Sequence, residues 1–282
     1  MGKVLAVALW VLVILTVWMF VGQNQWWFPE TISDYGPRID AQFMRTLVIV
    51  AIGFIGAQVA LGYAVWRFGR RGNERAVYTH GNNKLEMTWT VITAIVFIGT
   101  AILGQMVWAD LHIKETPPGA EKIHVVAQQF NWNFHYAGAD KTFGRTDPTL
   151  INDDGLNFVG LDTSDPNAKD DAQVTTLVIP VNRPVELMLR SKDVIHDLFV
   201  PALRIKQDAV PGLNVRFHFT ATKIGKFELT CAELCGSLHY NMKSLMLVLP
   251  QADYDALTAL PEEPFKARLS ELLGQYELNK AS

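Results

Sequence analysis

The sequence predicts a membrane-anchored all-β protein, with apolar helical spans at the N-terminus followed by a β sandwich or barrel. Three observations carry that expectation. Long uncharged apolar runs are confined to residues before Asp110. After Ile123, short segments rich in β-branched and aromatic residues alternate with Pro, Gly and Asn, the signature of a sandwich or barrel. Charge divides in the same place: residues 1–114 carry nine Lys/Arg and six Asp/Glu, near +3, and residues 115–282 carry sixteen and twenty-two, near −6.

Thr46–Trp66 and Met87–Ala109 are both uncharged, and each is about as long as the roughly 20 helical residues that cross a bilayer core. They predict a transmembrane hairpin over residues 46–110. Between the two runs lie Arg67, Arg70, Arg71, Arg75 and Lys84. Basic loops stay on the cytoplasmic side, so everything after Ala109 is expected outside, on the periplasmic face of a bacterial inner membrane. Val4–Val21 is also uncharged and follows Lys3, as a secretory leader would. It is longer than a leader's apolar core of about 7–15 residues, and no small-x-small cleavage site follows it. Residues 1–22 are therefore read as a further membrane helix or a signal segment, with 23–45 as an external connecting segment in either case.

The β domain is expected over 115–250. Its strands fall in Ile123–Tyr136, Thr175–Ser191, Ile195–Leu203, Val215–Cys231 and Lys243–Pro250. Residues 137–172, dense in Asp, Gly, Asn and Thr, read as a surface insertion with little regular structure. Residues 251–282 read as a helical tail, one helix short and one longer. An acidic outer domain repels phosphate, which argues against nucleic acid, but it can steer a basic protein partner. No Cys-x-x-Cys-His occurs, so no covalent c-type haem is expected in this chain.

The chemistry concentrates in Cys231-Ala-Glu-Leu-Cys235-Gly-Ser-Leu-His239-Tyr-Asn-Met242, with His196 upstream. Thiolate, imidazole and thioether form a soft donor set that selects copper, and a mononuclear blue-copper site needs only one Cys. Two thiolates across a tight loop can bridge two coppers, each capped by an imidazole. A disulfide is the other reading outside the cytoplasm. It would close a very short loop, which stabilises little, and would leave both His and the Met without a role.

This order of residues on a β domain behind two membrane helices resembles subunit II of cytochrome c oxidase. The likeness covers roughly Met44–Pro250 and rests on "DVIHDLFVPALRIKQDAVPG" and "CAELCGSLHYNM". It implies a cupredoxin-like Greek-key barrel carrying a dinuclear copper A centre. Cys231 and Cys235 would bridge the coppers. His196 and Met242 would complete one, and His239 and the Glu233 carbonyl the other. The Glu233 side chain would also reach a magnesium ion shared with the catalytic subunit. The resemblance implies electron transfer from cytochrome c, or another c-type haem donor, to haem in subunit I. That subunit, with its haem and copper B, reduces dioxygen and pumps protons alongside further oxidase subunits and the lipid bilayer; this chain is not catalytic alone.

Other residues carry weaker signals. Glu86 in Glu-x-x-Trp-Thr resembles the family's carboxylate for proton admission, although a Glu at a helix start is also favoured by the macrodipole. Phe130 stands where the family usually has the Trp that receives the electron. Trp132 and Tyr136 read as core. Leu213 replaces a frequent Arg after Pro211-Gly212, leaving Arg204 and Lys206 as candidates for haem propionates. Asp193, Asp197 and Asp208 are candidate docking acids, and His112, His124, His135 and His218 read as structural or surface histidines. Competing functions are a membrane-tethered copper carrier, whose ligands tend to be exposed, and a copper A subunit of a nitric oxide reductase-type enzyme. A quinol oxidase subunit without copper fits poorly, because all six ligand positions are filled.

Overall fold

The computed structural model describes residues 2–22, 29–69, 78 and 80–279. Arg70, Arg71 and Arg75 of the basic loop, residues 23–28 of the connecting segment and the last residues of the tail lie outside the described residues. The chain divides into two compact units, Met1–Phe28 with Arg38–Trp108 and Pro29–Pro37 with Ala109–Ser282.

The first unit is built from α1 (Gly2–Gly22) and all but the ends of α2 (Gly36–Phe68) and α3 (Asn83–His112). All three are long and apolar enough, by length and composition, to cross a membrane. Large apolar side chains along them are exposed, as befits helices that satisfy their own backbone and turn apolar surface outward. α2 starts ten residues before its apolar run. Its first turns carry Arg38, Asp40 and Arg45, because extending a formed helix adds one hydrogen bond per residue fixed. α3 is capped by the Asn82 side chain, which accepts from the N–H groups of Lys84 (3.1 Å) and Leu85 (3.2 Å), the preferred use of Asn at this position.

The second unit contains two five-stranded sheets. The first comprises β1 (Glu121–Gln128), β2 (Asn131–Tyr136), β3 (Ala172–Val174), β5 (Pro184–Ser191) and β8 (Val215–Thr220), in the order β3-β2-β1-β5-β8. The second comprises β4 (Leu177–Pro180), β6 (His196–Val200), β7 (Ile205–Ala209), β9 (Gly225–Cys231) and β10 (Lys243–Leu249), in the order β4-β10-β9-β6-β7. β1–β5 and β4–β10 pair in parallel and the other neighbours are antiparallel. The inward residues of both sheets merge into one core around Trp132, Phe134, Leu187, Phe219, Leu229 and Val248. This is the cupredoxin-like barrel the sequence predicts. Ile123–Tyr136, one continuous segment by periodicity, is a hairpin that turns at Gln129-Phe130.

Three segments outside the strands add to this unit. Pro29–Pro37 forms a strap on the barrel: Ile32 is fully buried, its N–H donates to Ala202 O (2.8 Å), and its carbonyl accepts from Thr222 N–H (2.7 Å). Burying one such side chain contributes about 1.5–3 kcal/mol. The 137–172 insertion is short on regular structure but well anchored. Val159, Leu161 and Ala168 pack on Val126 of β1, and Phe143 stacks on His124 at 3.8 Å. Buried Asp171 meets His135 at 2.6 Å and takes the Gly144 N–H at 2.8 Å. α4 (Gln251–Thr258) and α5 (Glu262–Gln275) put Tyr254, Leu257, Phe265, Leu269 and Leu272 into the core.

Candidate metal centre

β6 and β9 are hydrogen-bonded neighbours, with Leu198 opposite Cys231. His196 opens β6 and Cys231 closes β9, so the pairing alone brings an imidazole and a thiol to the same end of the barrel. The chain then leaves the sheet as a loop and returns at Met242, just before β10. The base of the loop is closed by the Cys231 N–H donating to Met242 O at 3.0 Å. Within it, His239 N–H donates to Gly236 O (3.2 Å) and Met242 N–H to His239 O (3.1 Å), which curls the loop inward over Cys235.

The result gathers the sequence-predicted donors. Cys231 Sγ and Cys235 Sγ are 3.9 Å apart, far beyond the roughly 2.05 Å of a disulfide bond, and both cysteines are free. His196 Nδ1 lies 4.0 Å from Cys231 Sγ, and His239 Nδ1 lies 3.5 Å from Cys235 Sγ. Met242 Sδ is 3.7 Å from Cys235 Sγ, and the Glu233 carbonyl is 3.2 Å from Cys231 Sγ. The ligand atoms of His196, Cys231 and Cys235 fall within 4.8 Å of one another. His196, Cys231, Cys235 and Met242 are buried and His239 is half-buried, whereas the Glu233 side chain is exposed. Buried thiols, imidazoles and a thioether converging on one point fit a soft metal, so the chemistry of the donors suits copper.

Electrostatics prepares the thiols unequally. Burial opposes a charged Cys231, but contacts with His196 and with the backbone at Asp197 and Glu233 bring its thiol down to about 7. Burial, followed by the neighbouring Cys231, pushes Cys235 up to about 11. The pair thus releases its protons in two steps, and a metal binding both sulfurs displaces the second.

The orientation of His196 comes from a residue the sequence reading had treated as a docking acid. His196 Nε2 donates to Asp193 Oδ1 at 2.8 Å, which leaves the Nδ1 lone pair facing the thiols. The other Asp193 oxygen takes the Gln129 N–H at 2.7 Å, and the Gln129 side chain donates to Cys235 O at 2.5 Å. Burial favours a neutral Asp193, but the bonds from His196, Gln129 and Val194 outweigh it and hold the carboxyl below its usual value. The visible signal was only an Asp three residues before the His. Nothing in the sequence singled out Gln129.

Other candidates separate. Trp132 and Tyr136 are buried in the core, and the Trp132 ring lies edge-on to His196 at 6.1 Å. Phe130 is half-buried against the loop: a Cβ on Gly236 would fall 2.9 Å from its Cζ. Asp197 is buried, not a docking acid; burial, followed by Asp208, pushes its carboxyl up to about 6, and Lys206 pairs with it at 3.2 Å. The Arg204 guanidinium is engaged within the fold, donating to Pro201 O (2.8 Å) and to Pro29 O of the strap. Among the histidines outside the motif, His112 meets Gln207 at 3.2 Å and His218 meets Tyr35 at 3.0 Å. Glu86 is exposed in the first turn of α3, within the first unit.

Comparison with known proteins agrees with this geometry. Residues 122–248 match the family described as "Cytochrome C oxidase subunit II, periplasmic domain", and residues 22–105 match "Cytochrome C oxidase subunit II, transmembrane domain". The chain is 32% identical over 235 residues to the alternative cytochrome c oxidase subunit 2 of Bradyrhizobium diazoefficiens, covering 83% of each chain. It is 30% identical over 219 residues to cytochrome c oxidase subunit 2 of Cereibacter sphaeroides, covering 74% of this chain and 71% of that one. With subunit 2 of Synechocystis it shares 27% over 262 residues, 86% of this chain and 78% of the relative. The chain therefore belongs to the cytochrome c oxidase subunit II family, as a membrane-anchored subunit of a cytochrome c oxidase.

Proposed function

We propose that the chain receives electrons from a c-type cytochrome and delivers them to haem in subunit I, through a dinuclear copper A centre held by His196, Cys231, Glu233, Cys235, His239 and Met242. The observation that carries this reading is the convergence of both cysteines, both imidazoles, the thioether and the Glu233 carbonyl at the barrel end. Bound there, a copper pair supplies a one-electron relay. The protein's share is to hold the donors still. Cys231 and His196 sit on paired strands, Asp193 fixes the tautomer and direction of His196, and Gln129 ties the loop at Cys235. A rigid seat keeps reorganisation on electron transfer small. Glu233 divides its two ends, with the carbonyl toward the thiols and the carboxylate in solvent, which leaves the side chain free for a shared magnesium ion.

Exposed Leu234, Leu238 and Tyr240 on the same loop, with Phe130 beside it, offer apolar surface of the kind protein partners cover. They support docking of the donor and of subunit I here. Glu86, exposed in a first helical turn, suits admission of protons to subunit I, and the barrel is assigned to the periplasmic side of a bacterial inner membrane. A copper carrier is disfavoured by the burial of its ligands, since delivery needs ligands that a partner can reach. The deciding measurement is copper content and electron paramagnetic resonance on the full-length subunit in detergent. Two coppers per chain, with hyperfine structure from one electron shared by both nuclei, support the reading. A single-nucleus pattern, or no tightly held copper, refutes it.

A further inference from the structure

The matched family regions begin at residue 22, so they reach only the last residue of α1. We propose that α1 remains on the mature subunit as a third membrane helix, locked to α2 by a tryptophan seated on a glycine. The indole of Trp10 lies on Gly62, where a Cβ would fall 2.2 Å from Nε1; any side chain there would push the ring away. The same indole stacks on Trp66 with ring centroids 5.9 Å apart and planes 23° apart. Lys3 places its ammonium 5.6 Å from the Trp66 ring. A turn further along, a Cβ on Gly2 would lie 3.1 Å from Val65 O. Ala6 and Val13, the buried residues of α1, share the face of Gly2 and Trp10 at helical spacing.

In lipid no hydrophobic force draws two apolar helices together; they associate by close packing at small residues. That is the contact seen here, a large ring and a backbone notch matched in shape. A leader removed after export buries nothing in the finished molecule, so its sequence needs no such match to a helix that stays. The pairing is also consistent in sense. Gly2 and Lys3 meet the end of α2 that carries Arg67, which makes the two helices antiparallel and puts Lys3 on the basic side of the membrane, as the distribution of positive charge requires. At 21 residues and about 1.5 Å per residue, α1 matches a hydrocarbon core of about 30 Å.

The test is intact-mass spectrometry of the subunit from detergent-purified, assembled oxidase. A mass that includes residues 2–22 is the expected result, and an N-terminus beyond Gly22 overturns the proposal. A paired substitution tests the lock itself. Gly62→Leu should lower the amount of subunit in assembled oxidase severalfold, whereas Gly53→Leu, at a glycine with open space around it, should leave it unchanged. Equal levels of the two variants overturn the lock.

Discussion

Replacing Asp193 tests whether the copper donors are oriented from outside the site. Asp193 Oδ1 accepts from His196 Nε2 at 2.8 Å and from Val194 N–H at 2.7 Å, and Oδ2 accepts from Gln129 N–H at 2.7 Å. Asp193→Ala removes both acceptor oxygens and all three hydrogen bonds. It leaves a buried imidazole N–H without a partner and frees the ring to turn its Nδ1 away from the thiols. Hydrogen bonds to charged groups contribute about 1.5–3 kcal/mol each. Removing an outer partner of a metal-binding His typically lowers metal affinity about 10- to 100-fold, which is about 1.4–2.7 kcal/mol. The two scales agree, so a loss in that range is expected for Asp193→Ala. Asp193→Asn should fall between this variant and the parent, because the amide keeps one acceptor for His196 but sets an N–H against the N–H of Gln129. The assay is a copper titration of the full-length subunit against a competing chelator, with Asp154→Asn as the exposed control. An affinity for Asp193→Ala equal to that of the control refutes the reasoning.

Three further outcomes are expected. Burial, then the charges of His135, Arg190 and Lys122, hold His124 at about 3 against an ordinary 6.5. The unfolded chain therefore takes up the proton first, and stability is complete above about pH 6.5 and is lost as the pH falls toward 3, with a ceiling of roughly 4–5 kcal/mol at about 1.36 kcal/mol per unit. His124→Phe, which keeps a ring against Phe143, should flatten the decline of melting temperature between pH 6.5 and 4, and an unchanged decline counts against this account. Gly236→Ala places a Cβ 2.8 Å from Gln129 Nε2 and 2.9 Å from Phe130 Cζ at a φ of 141°, so it should weaken copper retention as well as stability. Gly119→Ala, at φ +77° with nothing near, carries only the backbone cost of about 1–3 kcal/mol, and equal copper retention in the two variants sinks the packing argument. Ile32→Ala should lower stability by about 2–5 kcal/mol without changing the copper spectrum, and thermal melts showing no loss would mean the strap contributes little.

What the sequence made readable follows from how local each signal is. Membrane spans announce themselves because uninterrupted apolar runs have few other uses in a folded chain. The proposed copper loop stands out because five of its six candidate donors lie within twelve residues, in types that share one metal preference. The distant His196 was found through the motif around it. The strap was opaque: "PETISDYGP" has one large aliphatic residue, and its attachment combines main-chain bonds to Ala202, Thr220 and Thr222 with side-chain bonds of Ser33, Asp34 and Tyr35 to partners about 170–190 residues away, a pattern no local motif announces. The insertion misled for a related reason. Its Asp, Asn and Gly content describes turns that bond their own backbone, as Asp147, Asp162 and Asp165 do. Its hold on the barrel depends on Val159, Leu161 and Ala168, on Phe143 stacked against His124, and on the buried Asp171.

The least readable part was the support of the site, and it bears most on function. Three constraints converge on the donors from separate stretches of chain. β6–β9 pairing fixes His196 against Cys231, the Cys231–Met242 backbone bond closes the loop, and the β1–β2 turn reaches across through Gln129 to both Asp193 and the Cys235 carbonyl. Each constraint acts on a different pair of donors, so removing one loosens that pair first and leaves the rest of the set seated. The proposed copper pair should lose affinity in graded steps, and the electron shared by its two nuclei should become unequally shared before the metal is lost. Asp193→Asn is the variant in which that asymmetry should first appear in the hyperfine pattern.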